Sequence, residues 1–166
     1  MIILFRPREW FFLVALMCAC LLGFALYVQY ALFEEPCPLC ILQRAAFIWI
    51  GIVALAAAIH NPGRTGRFLY AILLVLGGSA GAAVAGRHVW LQNLPPGQVP
   101  ECGMGLNYML ETMPFGEVFT KVLHGSGECA QIGWTFVGFS MPWWTLIWYI
   151  GLMVATVLVV AKQRES

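Results

Sequence analysis

The chain carries four long stretches in which almost every residue is apolar, separated by shorter polar segments. The first of them, residues 10–33, contains no charged residue. A helix needs about 20 apolar residues to cross a bilayer, so this stretch is long enough. The pattern predicts an all-α membrane protein, a four-helix bundle in one domain over residues 1–166. The expected spans are residues 10–32, 41–59, 68–90 and 142–161, with loops over residues 33–40 and 91–141 on one side of the membrane.

The second of these loops is predicted to contain a short amphipathic helix. From Phe115, apolar residues recur at positions i+3, i+4, i+7 and i+8, which is the spacing of one helical face. These residues are Val118, Phe119, Val122 and Leu123. Because the chain has no soluble core to cover this face, we expect it to lie on the membrane surface. Packing on the top of the bundle is the alternative.

Composition and charge support a membrane location and predict an orientation. The 166 residues are 61% hydrophobic and 10% charged, which is too apolar for a soluble domain of this length. Six of the seven basic residues outside the spans lie at the termini and in the turn after the second span, and the seventh, Lys121, lies in the second loop. The six are Arg6, Arg8, Arg64, Arg67, Lys162 and Arg164. By the positive-inside rule, both termini are cytoplasmic and the two loops are external. The first span is too long for a signal peptide, and we expect it to be retained.

Four of the six cysteines lie in the predicted external loops: Cys37, Cys40, Cys102 and Cys129. An external compartment is oxidising, so disulfides can persist there. Four cysteines allow three pairings, and the local choice joins Cys37 to Cys40 and Cys102 to Cys129. Both bridges could serve only as structural links. We assign no role to Cys18 and Cys20, which lie in the first span and point to nearly opposite faces of a helix.

The sequence Cys37-Pro38-Leu39-Cys40 at the membrane boundary favours redox chemistry. So short a ring restrains little entropy of the unfolded chain, and its value as a structural link is small. Cys40 is predicted at or just before the start of the second helix, where free backbone N–H groups and the helix dipole stabilise an anion. Arg44 follows four residues later on the same face and adds a permanent positive charge. Anchoring at the lipid head groups is the alternative role for Arg44.

These residues carry a resemblance to a known family. The motifs are Cys37-Pro38-Leu39-Cys40-x-x-x-Arg44, Cys102, Glu128-Cys129-Ala130, Trp134, Gly138 and Met141-Pro142-x-Trp144. They resemble the DsbB family of disulfide bond formation proteins over almost the whole chain. The resemblance implies a quinone-dependent thiol:disulfide oxidoreductase of the bacterial inner membrane. Its implied partners are a DsbA-like periplasmic thioredoxin-fold protein and the membrane quinone pool, besides the bilayer.

The resemblance also implies roles for individual residues. The partner's thiolate attacks Cys102 and frees Cys129. The electrons then pass to the Cys37/Cys40 pair, which requires the second loop to move. Cys40 faces the cofactor, ubiquinone or menaquinone, and Cys37 restores the disulfide.

Three residues are expected to bind the quinone. Arg44 offers fixed donors to a carbonyl oxygen and stabilises negative charge that develops on it. The resemblance places a quinone-pocket histidine at His88. Gln92 lies four residues further on, on the same face if the helix continues.

Two other functions are compatible with parts of the sequence. A thiol–quinone enzyme of the vitamin K epoxide reductase type shares the four spans, but its cysteine order is less similar. A non-enzymatic metal-binding protein could use cysteine and histidine ligands. Zinc usually takes four convergent ligands with reduced thiolates, whereas these cysteines face an oxidising compartment, so we expect no metal site. The chain has no basic patch that would bind nucleic acid.

Overall fold

The computed structural model describes residues 6–95, 98, 106–125 and 127–165. Its elements follow in the order α1 Pro7–Ala31, α2 Pro38–His60, α3 Arg64–Gln92, α4 Leu106–Thr112, α5 Phe115–His124, α6 Gly127–Ala130, β1 Thr135–Phe136, β2 Phe139–Ser140 and α7 Met141–Glu165. Helices α1, α2, α3 and α7 are each long and apolar enough to cross a membrane. The protein is a multi-pass membrane protein, and the predicted four-span all-α bundle is confirmed.

The helices extend beyond the predicted apolar spans because polar and proline residues start them. Helix α1 begins at Pro7, and the backbone N–H of Arg6 donates to the Glu9 carboxylate at 3.2 Å. Helix α2 begins at Pro38, three residues before the predicted span. A proline suits the first position of a helix because the N–H that it lacks would have no partner in the helix.

The bundle core lies between consecutive helices, since α1 packs on α2, α2 on α3 and α3 on α7. Helices α3 and α7 approach closely at Gly81, where a Cβ atom would collide with the ring of Tyr149. Tyr149 is fully buried and stacks on Phe47 with ring centroids 4.2 Å apart. The small residue on α3 therefore makes room for an aromatic pair that joins α2 to α7.

The second loop folds over the end of the bundle at which α2 begins. Helix α5 coincides with the predicted amphipathic segment, and its residues Val118 and Val122 are 4% and 5% exposed. Both belong to a buried cluster that contains Leu39 of α2 and Leu91 of α3. These two residues therefore pack on the bundle, which was the alternative prediction for this face. Helices α4 and α6 were not predicted.

Strands β1 and β2 form an antiparallel hairpin directly before α7. Thr135 pairs with Ser140 and Phe136 with Phe139. The turn consists of Val137 at φ 52° and Gly138 at φ 80°. Two consecutive residues with positive φ match the twist of a two-residue hairpin, but such turns favour asparagine and glycine over valine. The Val-Gly pair gives little indication of a hairpin, and the sequence predicted only a loop here.

Candidate active site

The first turn of α2 brings the sulfurs of Cys37 and Cys40 together. Cys37 is the N-cap residue, with an extended backbone, and its carbonyl accepts the N–H of Ile41 at 3.2 Å. Cys40 thus lies inside the first turn, not before it. The Sγ atoms are 3.3 Å apart, with the thiol of Cys37 donating to Cys40. Cys37 is 8% exposed while Cys40 is half-buried, so Cys40 is the more accessible sulfur.

His88 lies against both sulfurs. Helix α3 continues to Gln92, and this length brings His88 level with the start of α2. Its Nε2 atom is 3.7 Å from Cys37 Sγ, and its Nδ1 atom is 4.0 Å from Cys40 Sγ. The side chain is 3% exposed. The predicted quinone-site histidine is therefore buried beside the dithiol.

Gln43 orients this histidine, although Gln43 was not among the predicted site residues. Gln43 is 3% exposed, and its Nε2 atom is 3.2 Å from His88 Nδ1. An amide nitrogen can only donate, so Nδ1 accepts and the ring carries its proton on Nε2. The Oε1 atom of Gln43 lies 2.8 Å from the hydroxyl of Thr145. The Thr145 hydroxyl donates here, and it also lies 2.9 Å from the carbonyl of Pro142 in its own helix, so two acceptors share its one proton.

The contacts form one chain of hydrogen bonds, all donated in the same direction. Thr145 donates to Gln43, Gln43 to His88, His88 to Cys37, and Cys37 to Cys40. Tyr149 holds the backbone of Gln43 in place by donating to its carbonyl at 2.6 Å. Hydrogen bonds in such a series polarise one another. The arrangement therefore favours negative charge at its last acceptor, the sulfur of Cys40.

Arg44 lies one turn beyond Cys40, and its guanidinium is directed toward α1. One terminal nitrogen donates to the side-chain oxygen of Gln29, and the other donates to the carbonyl of Ala25 at 3.2 Å. A guanidinium has five N–H groups, so these contacts fix the group and leave donors for a further acceptor. The predicted site residue is thus held in place beside the redox pair.

Gln92 occupies a different position. Helix α3 does continue through Gln92, as the prediction of a shared face requires. Its side-chain oxygen accepts the hydroxyl of Ser140 at 2.5 Å, which joins the end of α3 to strand β2. In this structure its amide oxygen is therefore engaged in fastening the hairpin. A contact with quinone stays a prediction.

The second loop brings Cys129 to the same region. Helix α6 packs on α3, and Cys129 is 0% exposed. It belongs to one buried cluster with Cys37 and Leu39, on which Cys40 also packs. Cys102, the other predicted redox residue of this loop, lies outside the described residues.

Comparison with known proteins identifies the family. The sequence profile described as Disulfide bond formation protein DsbB matches residues 7–159. The chain belongs to the DsbB family. It is similar to the disulfide bond formation protein B of Chromobacterium violaceum, with 50% identity over 96% of each chain. The protein of the same name from Hahella chejuensis is 55% identical over 87% of each chain.

Membership of the DsbB family makes this protein a disulfide-forming oxidoreductase, and the vitamin K epoxide reductase type is not favoured. Within a DsbB-family chain, the residues missed by sequence reasoning are Gln43 and Thr145. Gln43 carried a recognisable signal, since an uncharged polar side chain within a membrane span is costly unless it has a partner. Thr145 carried none, because a threonine in a span can satisfy its hydroxyl within its own helix.

Proposed function

We propose that this DsbB-family protein transfers electrons from a DsbA-like periplasmic thioredoxin-fold protein to a membrane quinone. It would act in the bacterial inner membrane, with both termini in the cytoplasm and the redox loops in the periplasm. The observation that carries this proposal is the position of the Cys37/Cys40 pair. The pair lies at one end of a membrane-spanning bundle, with Cys129 buried in the same cluster and Cys40 accessible from outside.

The electrons would enter by thiol–disulfide exchange at the second loop. A thiolate of the reduced partner attacks Cys102 of a Cys102–Cys129 disulfide, and Cys129 leaves as a thiolate. The partner's second thiolate then attacks the partner's first sulfur in this mixed disulfide and releases Cys102 as a thiolate. The partner is oxidised to a disulfide, and two electrons remain on the loop pair.

The same exchange would pass these electrons to a Cys37–Cys40 disulfide. Attack requires a loop sulfur in line with the disulfide, so the two pairs must come within bonding distance. The burial of Cys129 beside Cys37 supports this step, because the loop needs to shift only within one apolar cluster. After the exchange the loop pair is again a disulfide, and Cys37 and Cys40 are reduced.

The residues around Cys40 fit a quinone, ubiquinone or menaquinone. Cys40 is half-buried, and the adjacent Ile41 is 37% exposed. Arg44, one turn away, uses two of its five N–H groups in contacts with the part of the chain that the structure describes. An apolar surface beside a fixed cation suits a flat ring whose carbonyl oxygen gains negative charge. When bound, the quinone supplies the acceptor for two electrons and two protons. Arg44 would hold a carbonyl oxygen, and Gln92 is a further candidate.

The protein's own residues would prepare the dithiol. The chain of donors from Thr145 to Cys37 stabilises the thiolate of Cys40, and so does its place in the first turn of α2. His88 acts here as a donor to Cys37 and also keeps the two sulfurs close. Closing the disulfide releases the proton of Cys37 and two electrons. Because the Sγ atoms are only 3.3 Å apart, this closure needs little movement.

Turnover of the purified full-length protein tests this function. The protein in lipid nanodiscs is mixed with a reduced DsbA-type protein and ubiquinone, and the loss of quinone absorbance is followed. Replacement of Cys40 or Cys102 by serine should abolish turnover. The matched control is Cys20→Ser, at an exposed position of α1, which should leave turnover unchanged. Full turnover in both Cys40→Ser and Cys102→Ser would contradict the relay.

A metal-binding role is the second candidate, favoured by one observation. The ligand atoms of Cys37, Cys40 and His88 all lie within 4.8 Å of one another. Alkylation of free thiols in the resting protein, with metal analysis of the same sample, separates the two functions. The oxidase requires at least one of the two cysteine pairs to be oxidised at rest. Four alkylated thiols together with a bound metal would favour the metal-binding role.

A further inference from the structure

The β1–β2 hairpin presents apolar side chains at its surface. Phe136, Val137 and Phe139 are 53%, 72% and 47% exposed. No charged residue occurs between residues 129 and 161, so the hairpin and the helix that follows it form one uncharged segment. A soluble surface rarely exposes apolar residues that lie so close together, and such a patch marks an interaction site.

The hairpin is held firmly, so its exposure is not that of a loose loop. Trp134 packs edge-to-face on Phe24 of α1, with centroids 5.5 Å apart. The indole N–H of Trp144 donates to the carbonyl of Phe136 at 3.2 Å, and Ser140 donates to Gln92. These contacts attach the hairpin to α1, α7 and α3.

The contact with α1 places the base of the hairpin beside the membrane span. Phe24 lies seven residues before Ala31, the last residue of α1. At 1.5 Å per residue, Phe24 is about 10 Å from the end of the helix, and the Trp134 ring packs beside it. Gly133, the residue before it, lies against the Glu34 carboxylate, which follows α1 and requires water. The base of the hairpin therefore lies between a charged group beyond the end of α1 and an aromatic ring on the span.

Two of the spans that the hairpin contacts also expose large apolar side chains. Tyr27 on α1 and Ile147 on α7 are 60% and 51% exposed, as expected for side chains that contact lipid. Trp143 is 37% exposed and packs against Phe139. Tryptophan rings at the end of a span are typical of the boundary between head groups and acyl chains.

The turn conformation also indicates that the valine has a role. Val137 has φ 52°, a region that branched side chains rarely adopt because the Cβ atom crowds the backbone. Asparagine or glycine would form the same turn with less strain. An apolar side chain thus occupies the tip although the local backbone conformation favours asparagine or glycine.

We propose that the hairpin is a bilayer anchor, with Phe136, Val137 and Phe139 inserted at the boundary between head groups and acyl chains. Strands of two residues leave backbone N–H and C=O groups unpaired, and these need water. Insertion therefore stops at this boundary. The anchor fixes the chain shortly after Cys129 to the membrane. The inference does not depend on the electron route, because it concerns only the position of the hairpin.

Photocrosslinking in nanodiscs of phosphatidylcholine and phosphatidylglycerol tests the anchor. Benzoylphenylalanine replaces Val137 in the full-length protein, and lipid adducts are measured by mass spectrometry. Ile52, 62% exposed within α2, is the lipid-facing control, and Glu117, exposed on α5, is the control for a side chain in water. We expect adducts at position 137 to match those at 52 and to exceed those at 117 about tenfold, since only the first two side chains contact lipid.

The same substitution at Phe136 guards against a fold disturbed by the crosslinker, because one aromatic ring replaces another there. Lipid adducts at both positions support the anchor. Lipid adducts no more frequent than at position 117 would overturn it. So would a dominant adduct with a reduced DsbA-type protein added to the nanodiscs, which would make the hairpin a docking surface for a soluble partner.

Discussion

Gln43 donates a hydrogen bond of 3.2 Å to Nδ1 of His88, and this contact joins α2 to α3 directly beside the Cys37/Cys40 pair. Both side chains are 3% exposed, so water cannot replace the contact if it is lost. The bond also fixes which ring nitrogen of His88 carries the proton. Gln43 contacts neither sulfur, but it orients the imidazole ring that lies against both of them.

Replacing Gln43 by methionine should slow the oxidation of the dithiol by quinone. Methionine keeps the length of the side chain but cannot donate to His88 or accept from Thr145. Each of these two hydrogen bonds between membrane helices contributes on the order of 1 kcal/mol of unfolding free energy. We expect a lower kcat with an unchanged KM for quinone, measured from the loss of quinone absorbance, and a matching loss of stability in detergent.

Thr145 provides the control for this chain of hydrogen bonds. Thr145→Ser keeps the hydroxyl that donates to Gln43, while Thr145→Val keeps the shape and removes it. The serine variant should retain the wild-type kcat, and the valine variant should share the defect of Gln43→Met. Equal rates in the two variants would show that the chain has no influence on the dithiol.

Replacing Arg44 by alanine should raise the KM for quinone more than it lowers kcat. The guanidinium offers charged donors at a partly buried site, and a hydrogen bond to a charged group contributes about 1.5 to 3 kcal/mol. Titration of ubiquinone at a saturating concentration of the reduced partner gives both constants. Gln29→Ala removes one contact that fixes Arg44, so its effect should be smaller and in the same direction. An unchanged quinone KM in Arg44→Ala would leave Arg44 only an anchoring role.

Replacing Gly81 by alanine should destabilise the bundle near the active site. The added methyl group would collide with the ring of Tyr149, which donates to the backbone of Gln43. Overpacking of this kind costs about 1 to 3 kcal/mol of unfolding free energy. Gly86→Ala is the matched control on the same helix, because, beyond the adjacent backbone of α3, no atom of the described residues lies within 4 Å of the added methyl group. Thermal unfolding in detergent should separate the two variants, and equal melting temperatures would refute the close contact.

The parts of the fold that sequence could predict are those with a repeating physical signal. A span of apolar residues has few alternatives to a membrane helix, so α1, α2, α3 and α7 were predictable. The face of α5 was predictable from its 3.6-residue period. The hairpin was not, because its strands contain two residues each and the Val-Gly turn is an unfavourable one.

The candidate site was predictable only in part. Cys37, Cys40 and Arg44 lie within eight residues of sequence, and their chemistry depends on local helix geometry. The chain of donors depends on how α2, α3 and α7 pack, and sequence spacing does not contain that information. Gln92 illustrates the same limit, since its position on the expected face did not reveal the contact with Ser140.

We propose that the Cys37/Cys40 pair transfers electrons to quinone, while the second loop only supplies them. A single-turnover experiment separates the transfer of electrons to quinone from their supply by the second loop. The protein with Cys102→Ser and Cys129→Ser is reduced with dithiothreitol, freed of reductant and mixed with ubiquinone. We expect one quinol formed per protein, no steady turnover with a reduced DsbA-type partner, and no quinol when Cys40→Ser is added. Failure of the double variant to reduce quinone, or quinol formation without Cys40, would contradict it.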